Sequence, residues 1–234
     1  MKILKIFILL FSLTIAGDVP FKIGESLKYS AEFNLLPVGV AELNVTGIES
    51  INNIEAYHVY FSARTRGLAD QLFKIRDRID IWMDKREFFT HRLKKDINEG
   101  SYHKKIDVHF DYDQSIAKTE SKEIEIDFKA RDSFSMFYYL RTIPLKENEV
   151  MSFSSFEGKR IVHYNLQMTG KETVRTPMGT MSCKVVRPFR EGKNLFKNQG
   201  DMQIWISDDD RRLPVKIQIK MKFGSMTLLL KKVS

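Results

Sequence analysis

The sequence predicts an all-β, mostly antiparallel fold, in which about a dozen strands form a large curved sheet, as a half-barrel or a two-sheet sandwich, with one short helix crossover. Apolar and polar residues alternate in several segments, the pattern of a strand with one buried and one solvated face. In residues 102–112, for example, Ile106, Val108 and Phe110 share one face, whereas Asp107 and His109 share the other. Short segments rich in Asn, Asp, Gly and Pro separate the strands.

The predicted strands follow one another at short intervals through the chain. They cover residues 26–35, 38–47, 55–65, 73–83, 88–96, 102–112, 123–128, 149–156, 159–169, 180–187, 201–207, 215–222 and 225–230. One segment departs from this pattern, because Asp132 is a helix-start signal, aromatic residues follow at helical spacing, and Pro144 ends the run. We expect a single domain over residues 18–234 with a helix near 132–142, and no internal repeat is apparent in the sequence.

The first residues predict export from the cytoplasm. Lys2 and Lys5 precede an apolar run over residues 6–15, and the small residues Ala16 and Gly17 follow. This is the arrangement of a secretory signal, and the run is shorter than the roughly twenty residues that a membrane-spanning helix requires. We therefore expect residues 1–17 to be a signal peptide cleaved near Ala16 or Gly17, and the mature protein to be periplasmic.

The net charge of the chain indicates which classes of partner it can bind. Its net charge of +8 includes two lysines and no acids from residues 1–17, so the mature chain carries about +6. This charge is compatible with peripheral contact with an anionic membrane surface, or simply with a basic surface. Nucleic acid is not an expected partner in the periplasm. The sequence leaves the oligomeric state open.

No arrangement of residues predicts a catalytic centre, a metal site or a cofactor. His109 lies two residues from Asp107 and from Asp111 on one strand face, but a metal site needs three or four converging ligands, and Lys105 shares that face. Cys183 is the only cysteine, so an internal disulfide is impossible. It lies on an apolar strand face, and we expect a buried, unreactive thiol.

Asp77 is a carboxylate on an otherwise apolar strand face. An ionised carboxylate on a buried face is costly unless it is paired. The sequence offers Arg64 and Arg66 from the preceding strand, or Arg141 beyond the helix, as partners. The structural interpretation is a buried ion pair that sets the strand register, and the functional alternative is a polar anchor inside a ligand cavity.

An acidic turn is predicted near the C-terminal third. Asp208 and Asp209 are turn formers and would face Arg211 and Arg212; the alternating ligand pattern of a calcium loop is absent. Pro214 fits only where the sheet requires no backbone N–H.

Several motifs of this chain resemble one bacterial family. They are Phe21-Lys22-Ile23-Gly24-Glu25, Gly39, Ala41, Arg76-Asp77-Arg78, Asp132, Tyr138-Tyr139-Leu140-Arg141, Thr176-Pro177-Met178-Gly179-Thr180, Trp205-Ile206-Ser207-Asp208-Asp209, Arg212-Leu213-Pro214-Val215 and Phe223-Gly224-Ser225. In order and spacing they are similar to an exported-protein family known as domain of unknown function 3108. The resemblance implies a protein of the envelope of Gram-negative-type bacteria and brings no known catalytic residues. It draws attention to Asp77, Asp208, Asp209 and Pro214.

The function that we expect is a non-catalytic, periplasmic binding module for a lipid or another apolar envelope ligand. A curved sheet with a helix against its concave side can enclose an apolar pocket. The candidate pocket residues are Phe134, Phe137, Tyr138, Asp77, Met226 and Leu228. Alternatively these side chains only fill the core, and the protein is an envelope scaffold that binds a partner without a small ligand. An outer-membrane β-barrel and an envelope hydrolase are less favoured, because of the helix and the lack of an active site.

Overall fold

A computed structural model describes residues 19–126, 128–156, 161–192 and 200–234. The predicted signal peptide, residues 1–17, lies outside these ranges. The strands are β1 (Ser26–Phe33), β2 (Leu36–Ile51), β3 (Ile54–Thr65), β4 (Arg76–Asp84), β5 (Thr90–Glu99), β6 (Tyr102–Asp111), β7 (Ile116–Thr119), β8 (Glu123–Glu125), β9 (Val150–Phe156), β10 (Ile161–Thr176), β11 (Gly179–Phe189), β12 (Asp201–Ser207), β13 (Pro214–Met221) and β14 (Gly224–Val233). The helices are α1 (Gly67–Leu72) and α2 (Ser133–Thr142).

The strands form one antiparallel sheet of 14 strands in the order β8-β7-β6-β5-β4-β3-β2-β1-β14-β13-β12-β11-β10-β9. The sheet is strongly curved, since Phe110 of β6 and Phe156 of β9 have ring centroids 5.4 Å apart although many strands separate them. It does not close into a barrel, and the segment that contains α2 joins its edge strands β8 and β9. The predicted antiparallel all-β class is confirmed, and the two-sheet alternative is wrong.

The sheet consists of two similar halves, β1–β6 and β9–β14. In each half the second strand carries a bulge directly before a glycine, Gly47 or Gly170. The register between the fourth and fifth strands shifts directly after a tryptophan of the fourth strand, Trp82 or Trp205. Each indole N–H donates to a glutamate on the second strand 33 residues earlier. This repeat is not apparent in the sequence, because the halves share a layout and a few buried positions rather than a run of identical residues.

The connections alternate between two ends of the curved sheet. One end carries the turns β1–β2, β5–β6 and β13–β14 and the β3–β4 connection with α1, and we call it the turn end. The opposite end carries α2 and is here called the helix end. The Asp132 carboxylate starts α2 by accepting hydrogen bonds from the backbone N–H groups of Phe134 and Ser135. The hydroxyl of Thr90, at the start of β5, donates to the same carboxylate at 2.7 Å and fastens α2 to the sheet.

The core surrounds α2 on two sides. Tyr138 belongs to a large cluster with residues of both halves, whereas Met136, Phe137 and Leu140 pack with the strands β9–β13. The side chains of an α-helix point in different directions around its axis, so this short helix can contribute to both clusters. Within the part of the chain that the structure describes, no helix is long and apolar enough to cross a membrane.

Most strands lie where the sequence pattern predicts them, although β2 ends at Ile51 rather than at residue 47 and β10 at Thr176 rather than at residue 169. Residues 159 and 160 of the predicted strand 159–169 lie outside the described residues. Two elements differ. The predicted single helix corresponds to α2, but α1 is a second helix, at residues assigned to the loop between two predicted strands. Strand β4 consequently begins at Arg76 rather than at residue 73. Strand β7 is absent from the prediction, because its four residues, Ile-Ala-Lys-Thr, do not alternate between apolar and polar.

Candidate ligand cavity

A cavity of about 480 Å³ lies between strands β4–β6 and strands β9–β12. Its floor is formed by α2, where Met136 and Phe137 line it. Its walls are apolar side chains that point inward from the facing strands: Ile79, Leu93, Ile97, Ile106, Val162, Leu166, Met202 and Ile204. A mostly apolar concave space of this size is characteristic of small-molecule sites.

The cavity becomes polar towards the turn end. The residues that line this part are Lys95, Glu99, Tyr102, Lys104 and Arg190. Glu99, Tyr102 and Lys104 lie at strand ends there, Arg190 follows β11, and Lys95 lies in the middle of β5. The apolar floor and the charged mouth suit an amphiphilic molecule, whose apolar part avoids water while its polar group stays near solvent. The three cations at the mouth favour an anionic group.

Two carboxyl groups meet beside this mouth. Asp77 accepts a hydrogen bond from the backbone N–H of Asn98 at 2.9 Å and is hydrogen-bonded to the Glu99 carboxyl. Burial raises the pKa of Asp77, and burial together with the Asp77 charge raises the pKa of Glu99. The two neighbouring carboxyls therefore resist carrying a negative charge at the same time.

This pair predicts a pH dependence of stability. Because the pKa of Glu99 is raised in the folded state, the folded protein binds more protons than the unfolded chain just above the ordinary pKa of 4.5, and stability is lost as pH rises through the folded pKa. Glu99→Gln should thus raise the melting temperature at pH 7 by roughly 2 °C and change it little near pH 4. The exposed Glu120→Gln is the control. Thermal unfolding that shows no difference between the two variants at pH 7 contradicts this expectation.

None of the three predicted arginines pairs with Asp77. Arg64 and Arg66 are exposed, and Arg141 is completely buried against Glu25, with N–O distances of 2.6 and 2.9 Å. The proposed Asp77 ion pair is therefore wrong. The sequence did not reveal Glu25 as the partner because it lies 116 residues before Arg141.

The Arg141–Glu25 pair fastens the C-terminal end of α2 at the helix end. The guanidinium also donates to the backbone carbonyls of Pro20 at 2.5 Å and Arg211 at 3.1 Å. The ring of Phe21 lies against the same guanidinium, with 5.5 Å between the ring centroid and the Cζ atom of Arg141. A two-pronged arginine–carboxylate contact satisfies both charges, which makes complete burial tolerable.

The turn before β13 completes this attachment. Arg212 donates to the carbonyls of Arg141 and Ile143 at 3.1 and 3.2 Å. Pro214 begins β13, and its carbonyl accepts the buried hydroxyl of Tyr29 at 2.9 Å. The backbone carbonyl of Pro214 thus accepts a hydrogen bond at a position where no backbone N–H is required.

Two of the three acidic residues of the same turn, Asp208 and Asp209, form ion pairs at the surface. Asp208 contacts Lys171 at 2.5 Å and Lys184 at 3.1 Å. Asp209 contacts Arg211 at 3.0 Å, the first of its two predicted partners. The pKa of both carboxyls lies below the ordinary value: for Asp208 the main cause is the hydrogen bond from Lys171, and for Asp209 burial, which raises the pKa, is outweighed by the hydrogen bond from the Ser207 hydroxyl, followed by Arg211. Their role is in the structure of the turn.

Of the six candidate pocket residues, Phe137 lines the cavity. Phe134 packs on Phe61, with ring centroids 4.5 Å apart, and Tyr138 packs on Phe21 at 4.8 Å. The remaining three lie elsewhere: Asp77 beside the mouth, and Met226 and Leu228 on β14. The charged lining was missed, although Lys95 and Glu99 alternate with Leu93 and Ile97 on one strand face, which is a readable signal of an inward polar group.

The side chains capable of metal binding or nucleophilic attack are dispersed. Asp107 is held by both ends of the Arg92 guanidinium at 2.9 and 2.7 Å, and His109 lies 3.5 Å from it. Across the described residues, no three His, Cys, Asp or Glu side chains converge as metal ligands would. Cys183 is buried, and burial raises the pKa of its thiol to about 11, so the nucleophilic thiolate is scarce at neutral pH.

Comparison with solved structures finds matching chains, and the first of the two described below shares the barrel-like fold of this protein. One is a β-barrel-like protein of domain of unknown function DUF1849 from Brucella abortus, with a TM-score of 0.61 and 12% identity, covering 91% of this chain and 97% of that chain. Another is a "putative lipoprotein" from Parabacteroides distasonis, with a TM-score of 0.41 and 11% identity, covering 91% of this chain and 96% of that chain. At 12% identity the likeness to the Brucella abortus protein concerns the fold alone.

The sequence comparison identifies the family. The chain matches no curated protein with significant similarity. Residues 28–231, nearly the whole described domain, match the family described as "Protein of unknown function (DUF3108)". This match agrees with the resemblance of the motifs described above, and the chain belongs to the DUF3108 family.

Proposed function

We propose that this protein is a non-catalytic, periplasmic binding module for an amphiphilic lipid. The observation that carries the proposal is the cavity of about 480 Å³ between α2 and the turn end. Its volume falls in the range of roughly 300–1,000 Å³ that accommodates small molecules. It can hold an acyl chain in a folded or shortened conformation.

The lining supports a particular orientation of the ligand. Met136 and Phe137 at the floor and Leu166 in the wall offer an apolar surface, so the acyl chain lies there. Lys104 and Arg190 lie at the mouth and offer positive charge to an anionic head group such as a carboxylate or a phosphate. Asp77 and Glu99 disfavour a second anion beside that group.

The periplasmic part of the proposal is supported by the sequence of residues 1–17, which has the layout of an export signal. The intact mass of protein purified from the periplasmic fraction is the measurement. A chain that begins at Gly17 or Asp18 supports export, and a periplasmic protein that keeps Met1 contradicts cleavage.

Filling the cavity should abolish lipid binding. Ile97 points into the upper cavity and is only partly buried, so Ile97→Trp places a large ring in the space of the ligand. We expect at least a tenfold weaker affinity for cis-parinaric acid, a fluorescent fatty acid, measured by titration. One tenfold step corresponds to about 1.4 kcal/mol.

The matched control is Ile54→Trp, which adds the same ring outside the cavity at a half-exposed position near the helix end. This variant should bind like the unchanged protein. The proposal is wrong if the unchanged protein does not bind the probe, or if Ile97→Trp, folded and with a normal melting temperature, binds it equally well.

A further inference from the structure

The turn end exposes an unusual set of large apolar side chains. Leu35 and Leu36 in the β1–β2 turn are 82% and 69% exposed, Leu68 and Leu72 on α1 are 77% and 87% exposed, and Phe223 in the β13–β14 turn is 83% exposed. Single exposed apolar residues are ordinary, but a contiguous group at one end of a molecule marks a contact surface.

Hydrogen bonds join the four connections into one continuous rim. The backbone N–H of Gly100 donates to Lys74 at 2.8 Å and links the β5–β6 turn to the β3–β4 connection. That of Arg66 donates to Val38 of β2 at 2.9 Å, and that of Asn34 donates to Ser225 of β14 at 3.0 Å. The apolar side chains therefore lie on neighbouring turns of one surface, which we call the apolar rim (residues 34–36, 66–75, 100–102 and 222–223).

Helix α1 is held so that its leucines face away from the protein. Asp70 accepts hydrogen bonds from the Thr65 hydroxyl at 2.6 Å and from Arg76 at 2.7 Å, which ties the helix to β3 and β4. Leu68 and Leu72 are four residues apart and so share one face of the helix. No residue of α1 is buried. The hydrogen bonds of Asp70 therefore hold α1 in an orientation that leaves its apolar face exposed to solvent.

The charges of the apolar rim are mostly positive. Its charged residues are Arg66, Asp70, Lys74 and Lys222, and Asp70 is neutralised by Arg76. The three cations are exposed, and the Lys222 ammonium lies 5.6 Å from the centre of the Phe223 ring. Apolar side chains between cations match the boundary of a bilayer with anionic head groups, where acyl chains lie just below negative charge.

We propose that the apolar rim docks onto an anionic lipid bilayer. Leu68, Leu72 and Phe223 enter the head-group region, and the cations contact lipid phosphates. Tyr102 belongs both to the rim and to the cavity lining, so docking brings the cavity mouth to the lipid surface. The inference goes beyond the proposed function, because docking onto a bilayer does not require a lipid bound in the cavity.

Vesicle flotation tests the docking of the mature protein. We expect binding to vesicles of phosphatidylglycerol and phosphatidylethanolamine, and at least tenfold weaker binding to vesicles of phosphatidylcholine alone, since the anionic component attracts the cations. The double variant Leu68→Ser, Leu72→Ser should bind the anionic vesicles about tenfold more weakly, because it removes apolar area that enters the membrane.

The matched control is the double variant Ile48→Ser, Ile54→Ser, whose residues are also exposed apolar side chains but lie near the helix end. It should float with the vesicles like the unchanged protein. The inference is overturned if the two double variants bind the anionic vesicles equally, or if the unchanged protein binds anionic and uncharged vesicles equally. It is also overturned if the unchanged protein binds no vesicles and instead forms a dimer that the Leu68, Leu72 variant disrupts. Titration with cis-parinaric acid distinguishes a failure of membrane docking from a failure of ligand binding in the cavity, since both double variants should still bind the fatty acid.

Discussion

Arg141→Ala should lower the free energy of unfolding by about 3–5 kcal/mol, because it leaves the Glu25 carboxylate buried without its partner. Three backbone or side-chain groups at the helix end also lose a donor, namely Glu25 and the carbonyls of Pro20 and Arg211. Since a domain of this kind is stable by only about 5–15 kcal/mol, the variant should lose a large part of its stability. Urea unfolding followed by tryptophan fluorescence measures the change.

Two further variants distinguish this buried pair from an ordinary ion pair. Arg187 and Asp201 form a contact at 3.1 Å in which both side chains are exposed, so Arg187→Ala should cost under about 1 kcal/mol. The double replacement Arg141→Met, Glu25→Leu removes both charges and should cost less than Arg141→Ala alone. Equal losses for Arg141→Ala and Arg187→Ala would show that burial adds nothing at this position.

Trp205→Ala should lower the free energy of unfolding by about 3–5 kcal/mol, the usual cost of removing a buried tryptophan side chain. The ring is buried, its indole N–H donates to Glu172 at 2.8 Å, and the Lys216 ammonium lies 4.0 Å from the ring centre. The replacement leaves a void between β11, β12 and β13 and frees one acceptor. Urea unfolding followed by circular dichroism is the appropriate measurement.

The similarity of the two halves of the sheet provides a second tryptophan with which Trp205 can be compared. Trp82 occupies the same place in the other half, with its indole N–H donating to Glu49 at 2.7 Å and the Arg92 guanidinium 4.8 Å from the ring. Trp82→Ala should therefore cost an amount similar to Trp205→Ala. Phe223→Ala, at an exposed aromatic position, should stay within about 0.5 kcal/mol of the unchanged protein. A cost below about 1 kcal/mol for either tryptophan would contradict equivalent packing in the two halves.

The cavity and the apolar rim share one end of the molecule, and α2 closes the other. Asp132 at the start of α2 and Arg141 near its end are both anchored to the helix end. A floor held at both ends keeps the apolar residues Met136 and Phe137 in place beneath the cavity. In the proposed function, a ligand therefore enters and leaves through the mouth at the turn end.

Local patterns predicted most of the secondary structure correctly. Alternation over residues 102–112 corresponds to β6, and the capping residue Asp132 marks the start of α2, because both signals depend on neighbours a few residues away. The candidate site was harder to predict. Phe134 and Tyr138 are aromatic residues of the same helix as Phe137, and only the packing of the helix decides which of them faces the cavity.

By itself the sequence determined the antiparallel all-β class, the position of α2 and membership in the DUF3108 family, since these follow from local periodicity and from motifs. The tertiary structure alone decided that Glu25, rather than Asp77, pairs with Arg141, that two similar halves form one sheet, and that charged side chains line one end of the cavity. The physical reason is that pairing between distant strands depends on the free energy of the whole sheet. A buried charge takes whichever partner the finished fold brings within hydrogen-bond distance.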